Sequence, residues 1–199
     1  MKNLFLIKKS DSLTIKISKL LVYSYLLSMV CILPFNESWF TNFTLHSFDS
    51  PNFEFHQILT FSFIHLPIPT HLLMNIAFFV VFSSQLETLI SKRDYYFMIL
   101  INLIITFLLL NSVFKINPDE CLAGSSGFVY TVIGSFLFLS KNNNLRFLSL
   151  VLVLDCLFEL KTSDGDNFTL IGHFVGIVGG VVFTLYHKIS NMIKLKKSE

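Results

Sequence analysis

Apolar residues in this chain come in long runs, and polar or charged residues bracket them. Six runs are roughly as long as a helix needs to cross a bilayer, about 17 to 25 residues. They extend from Ile17 to Pro34, His71 to Ile90, Tyr95 to Phe114, Ser126 to Ser140, Leu145 to Leu160 and Thr169 to His187. The pattern predicts an all-α fold, a polytopic membrane bundle of six transmembrane helices that uses residues 1–199 as a single domain. Lysines precede the first run as in a signal peptide, but no small-residue cleavage site follows it and five more runs do, so it reads as a span. The connection 35–70 stands apart, with no lysine or arginine and with Phe35, Trp39, Phe40, Phe43, Phe48, Phe53 and Phe55. So aromatic a segment is expected to lie in the membrane interface on the outer side.

Composition agrees with this reading. The chain is 53% hydrophobic and 14% charged, against about 25% charged in soluble domains. Thirteen of its fifteen basic residues fall before run one, between runs two and three, between four and five, after six, or, as Lys19 and Arg146, at the inner ends of runs one and five, leaving Lys115 and Lys161 in the alternate loops. Short loops rich in lysine and arginine stay inside, which predicts a multi-pass protein with both termini cytoplasmic. The net charge of +2 then reflects topology and does not point to nucleic acid. Cys31, Cys121 and Cys156 have no metal-ligand spacing; no metal or other cofactor is called for.

Polar residues inside the runs carry the chemistry. Ser126 lies fifteen residues before Lys141, and His173 fifteen before Lys188, so each sits about 22 Å above the inner boundary at a rise of about 1.5 Å per residue. Asn75, seventeen residues before Lys92, comes out at roughly 25 Å on the same scale, with His71 one turn higher. Four polar side chains on three co-directional helices thus converge on one layer. Run four is too short to cross, so the chain from Asn117 to Ser125 must dip inward, and Pro118, Gly124 and Gly127 suit the turn. Irregular backbone at such depth lines a wet cavity or is buried in protein, so a water-filled cavity open to the outside is expected above Ser126.

A serine hydroxyl is a weak nucleophile until a base takes its proton, and histidine is the usual base. Ser126 and His173 meet that need, while free amides at the start of run four, with His71 and Asn75 opposite, can stabilise an oxyanion. Gly127 and Gly134 on one helix and Gly176 and Gly180 on the other allow the close approach the pair requires. Tyr130, one turn below Ser126, is placed to pack on the imidazole. The α/β-hydrolase elbow is excluded, because its second glycine would stand where Phe128 does. Asp155, about 13 Å from Arg146, is expected to be protonated or paired, with Ser83 or Ser84 as partner.

These residues resemble the rhomboid intramembrane serine proteases. Gly124-x-Ser126-Gly127-x-x-Tyr130-x-x-x-Gly134 is similar to the family's fourth-helix motif, His173-x-x-Gly176-x-x-x-Gly180 to its sixth-helix motif, and His71-x-x-x-Asn75 to its second-helix motif. The resemblance implies a Ser126 nucleophile, a His173 base with no third acid, and an oxyanion hole from His71, Asn75 and the Ser126 amide. It also covers Glu54 to His65 and Glu87. His56-Gln57 departs from the Trp-Arg of many members, and the gap from His65 to His71 is one residue longer. The compact six-span form resembles bacterial members, the rhombosortase branch among them, and implies an inner-membrane enzyme with transmembrane protein substrates. The competing readings are a catalytically inactive, client-binding relative, which would normally lack the serine or the histidine, and a transporter, which would show paired broken helices and inverted repeats.

Overall fold

A computed structural model describes residues 12–35, 37–65, 69–112, 121–162 and 168–196. Its elements are α1 (Leu13–Phe35), α2 (Glu37–Phe43), β1 (Leu45–His46), α3 (Gln57–Thr60), a 3-10 turn (Phe61–Phe63), α4 (Pro69–Leu86), α5 (Lys92–Ser112), β2 (Cys121–Leu122), α6 (Ser126–Leu139), α7 (Asn143–Thr162) and α8 (Phe168–Lys196). The fold is all-α apart from one two-residue ladder among the described residues. Six longer helices, α1, α4, α5, α6, α7 and α8, each overlap one of the six apolar runs. By length and composition, α4 and Thr169–Lys196 of α8 can each cross a membrane, and α6 is a shorter apolar helix. Lys2, Lys8, Lys9, Lys115, Lys197, Pro118, the expected end of run three at Phe114 and the lengthened part of the gap after His65 lie outside the described residues.

Helix α6 is the hub. Phe128, Val129 and every residue from Thr131 to Phe136 are buried, and α4, α5, α7 and α8 surround the helix, with α8 making its most extensive interface. Phe79 and Phe82 of α4 meet Phe128 and Phe136 at ring-centroid distances of 5.5 and 5.4 Å. The outward faces of α1 and α7 expose Tyr23, Leu26, Leu27, Phe147, Leu154 and Phe158, side chains that suit an apolar surrounding.

Two expectations change. Run two was expected to stay helical to Ile90, but α4 ends at Leu86 and a turn follows. The cause is tertiary: Glu87 leaves the helix to cap α1, its carboxylate accepting bonds from Ser12 Oγ (2.6 Å) and Thr14 N–H (3.0 Å). A carboxylate at a helix N-terminus satisfies amides that have no partner within the helix. Asp155 does not reach Ser83 or Ser84. It lies on the exposed face of α7, which packs on α6 and α8, whereas Ser83 bonds Thr14 Oγ1 (2.6 Å) and the Tyr95 hydroxyl and Ser84 bonds the Val81 carbonyl.

The outer connection is tied to the segment before α6. Leu45 pairs with Leu122 and His46 with Cys121 in an antiparallel ladder. Gln57 is fully buried and organises the loop, donating to Asn52 O (2.7 Å) and accepting from His46 N–H (3.3 Å). His56 pairs with Glu54 at 3.1 Å. The His56-Gln57 pair therefore has a structural role within the loop.

Candidate active site

The chain enters α6 through Gly124, whose φ of 113° lies in the left-handed region that glycine adopts without steric cost. Ser126 follows as the first residue of the helix and is 6% exposed. The first intrahelical bond runs from Val129 N–H to Ser125 O at 3.0 Å, so the amides of Ser126, Gly127 and Phe128 have no acceptor within α6.

His173 stands opposite on α8, and glycines set the spacing. A Cβ built on Gly176 would lie 2.1 Å from the Gly127 carbonyl oxygen and 3.1 Å from Tyr130 Cβ. One on Gly180 would lie 2.4 Å from Thr131 O, and one on Gly134 2.9 Å from Ile177 O. Tyr130 stacks on the His173 ring with centroids 4.4 Å apart and planes 22° apart, the packing expected from its position. The hydrogen bond expected from His173 to Ser126 is not closed: Nε2 is buried and has no hydrogen-bond partner among the described residues. In unliganded enzymes, catalytic hydrogen bonds are often long and tighten only in the substrate complex.

His71 and Asn75 complete the surround from α4. Asn75 is 7% exposed, and its Nδ2 lies 3.4 Å from His71 Nε2. A Cβ on Gly124 would touch His71 Cε1 at 3.4 Å and Ser126 Oγ at 4.0 Å, so imidazole and hydroxyl border the same small space. Because α4 stops at Leu86, counting back from Lys92 at the helical rise does not give the height of Asn75; the residue is joined to the site through His71.

The structure adds two contacts that the linear pattern did not reveal. Thr131 Oγ1 lies 2.6 Å from Asn102 Oδ1, 2.9 Å from Gly176 O and 3.1 Å from Gly127 O, a buried clasp joining α5, α6 and α8 at the glycine seam. A threonine one turn after Gly127 inside an apolar run was the available signal. The second contact is between Ser125 and His65, with Oγ and Nε2 2.9 Å apart; His65 had been noted only through the family pattern.

No curated protein matches the chain. The family model of the Rhomboid domain matches residues 52–188, a stretch that begins in the outer connection, takes in Ser126 and His173, and ends one residue past His187. The chain belongs to the rhomboid family, membrane proteins that are generally serine intramembrane proteases acting on transmembrane substrates within the bilayer.

Proposed function

We propose that this protein is an active intramembrane serine endopeptidase that cuts transmembrane or juxtamembrane segments of other membrane proteins. Ser126 is the nucleophile, His173 the base, and the Ser126 amide with the side chains of His71 and Asn75 holds the oxyanion. The six long helices span the membrane of a bacterial cell with both termini inside, the outer connection resting in the interface. A helical substrate hides its amides in internal hydrogen bonds, so residues that unwind it near the scissile bond favour cleavage.

The observation that carries this reading is the meeting of Gly176 with Gly127. It brings the backbones of α8 and α6 to contact distance one residue from Ser126 and one turn from His173. A fluorophosphonate should label the wild type and leave Ser126→Ala unlabelled. A second reading comes from the Ser125–His65 contact, which is itself a serine–histidine hydrogen bond. If labelling survives in Ser126→Ala and disappears in Ser125→Ala, the nucleophile is Ser125 and the assignment above is wrong.

The oxyanion role separates from the nucleophile role in magnitude. Removing one donor of an oxyanion hole costs about 10²- to 10³-fold in rate. Asn75→Ala should therefore retain measurable turnover, with the loss in kcat and little change in KM. Wild-type turnover in that variant, measured on a transmembrane peptide in liposomes, would remove Asn75 from the site.

A further inference from the structure

We infer that His65 is a positioning residue: its neutral imidazole tethers the loop that presents Ser126 and holds that loop off an apolar void behind it. His65 is fully buried in the outer connection, and Ser125 is 1% exposed. Its Nδ1 lies 3.3 Å from the Phe63 carbonyl oxygen, which can only accept, so the ring proton sits on Nδ1. Nε2 is then a lone pair, and it receives the Ser125 N–H at 3.2 Å with Ser125 Oγ at 2.9 Å. Gly124 N–H donates to Phe61 O at 2.9 Å alongside. All three contacts tie the turn before Ser126 to the Phe61–His65 stretch of the outer connection.

The need for a tether follows from what lies behind the loop. A cavity of about 190 Å³ is lined by Leu21, Phe63, Ile99, Leu103, Phe128 and Ser125, among others. The pocket is almost wholly apolar and opens past the exposed Leu20 and Leu59, so on that side the loop meets no hydrogen-bond partner. Hydrogen bonds to His65 therefore decide where Ser125, and with it Ser126, comes to rest. They also turn the Ser125 amide towards His65, leaving the Ser126 amide for the oxyanion.

The tether has one competent protonation state. A proton on Nε2 would face the Ser125 N–H and break that bond, leaving Ser125 Oγ only as an acceptor for the ring. Burial lowers the pKa of His65 to about 4, helped by His71 at a ring distance of 6.0 Å, the one titratable group among the described residues recorded as acting on it. A folded-state pKa below the unfolded value of about 6.5 means that the stabilisation is complete above that value and is lost as pH falls from about 6.5 towards 4.

This inference rests on the Ser126 reading, so Ser126-dependent fluorophosphonate labelling of the wild type is measured in the same preparation. If that labelling is missing, the functional reading fails. If it is present, the His65 variants judge the tether alone. His65→Leu should lower kcat by on the order of 10²-fold, the scale of a 1 Å misplacement, with KM nearly unchanged. His65→Gln, whose amide oxygen takes the place of Nε2 and does not titrate, should recover most of that loss, and Leu103→Phe, which fills the void, should recover part of it in the leucine background. The tether is overturned if glutamine is no better than leucine. It is also overturned if the decline in Tm between pH 6.5 and 4 has the same slope in His65→Gln as in the wild type, a comparison that stands even if His65→Leu does not fold.

Discussion

His173→Ala is expected to lower cleavage of a membrane-embedded peptide by as much as about 10⁶-fold, the loss seen when the base of subtilisin's serine–histidine–aspartate triad is removed. Without the imidazole, the Ser126 proton loses the acceptor assigned to it and the leaving amine its donor. Stability should move far less. The variant gives up a ring stack worth about 0.5–1.5 kcal/mol, but it also removes a buried nitrogen that has no partner among the described residues, a feature that costs about 1–3 kcal/mol. These terms oppose each other, so Tm should stay within a few degrees while turnover disappears. Ser126→Ala combined with His173→Ala should be no slower than either variant alone, because the two groups act as a unit. Turnover within tenfold of wild type in properly inserted His173→Ala would assign the base elsewhere, and a Tm that collapses with activity would make the residue structural.

How far the sequence anticipates this site depends on the kind of information each feature needs. The long helices are legible because an apolar run bounded by charges has few alternatives to a helix when no water can satisfy its backbone. Heights along a helix are legible for the same reason: Ser126 and His173 lie on uninterrupted helices, so counting back from Lys141 and Lys188 places them in one layer. Counting fails where a tertiary contact ends the helix, as Glu87 does by turning aside to cap α1. Height also says nothing about rotation. Asp155 was given a partner at its own depth, but the face of α7 that carries it points away from the bundle, and Ser83 is already engaged by α1 and α5. Contacts between distant stretches are the least legible. His65 and Ser125 are separated by 60 positions, and Asn102 and Thr131 by 29, and no periodicity connects either pair.

Glycine placement at the α6–α8 seam leads to the second large effect, this time on stability. Gly180→Ala should destabilise the protein by about 1–3 kcal/mol, the usual cost of forcing extra atoms into a packed interior, even though alanine is the better helix former by about 1 kcal/mol. The steric term wins because its neighbours cannot yield. The added Cβ would lie 2.4 Å from Thr131 O and 2.7 Å from Ser135 N, both backbone atoms of α6, so relief requires the two helices to separate. For a chain of this size, each kcal/mol corresponds to roughly 2–4 °C in Tm. Gly176→Ala meets Gly127 O at 2.1 Å, one turn from His173, so it should lose activity as well, by on the order of 10²-fold for an ångström of displacement. Gly179→Ala provides the control within the same helix: its Cβ would meet Thr131 Oγ1 at 3.4 Å, an ordinary contact, so helix propensity should prevail and Tm should hold or rise. Thermal unfolding of the three variants in one detergent decides the matter. Equal losses at 176, 179 and 180 would mean that α8 tolerates no side chain anywhere on this stretch, and losses at none of them would mean that α6 and α8 are not in backbone contact.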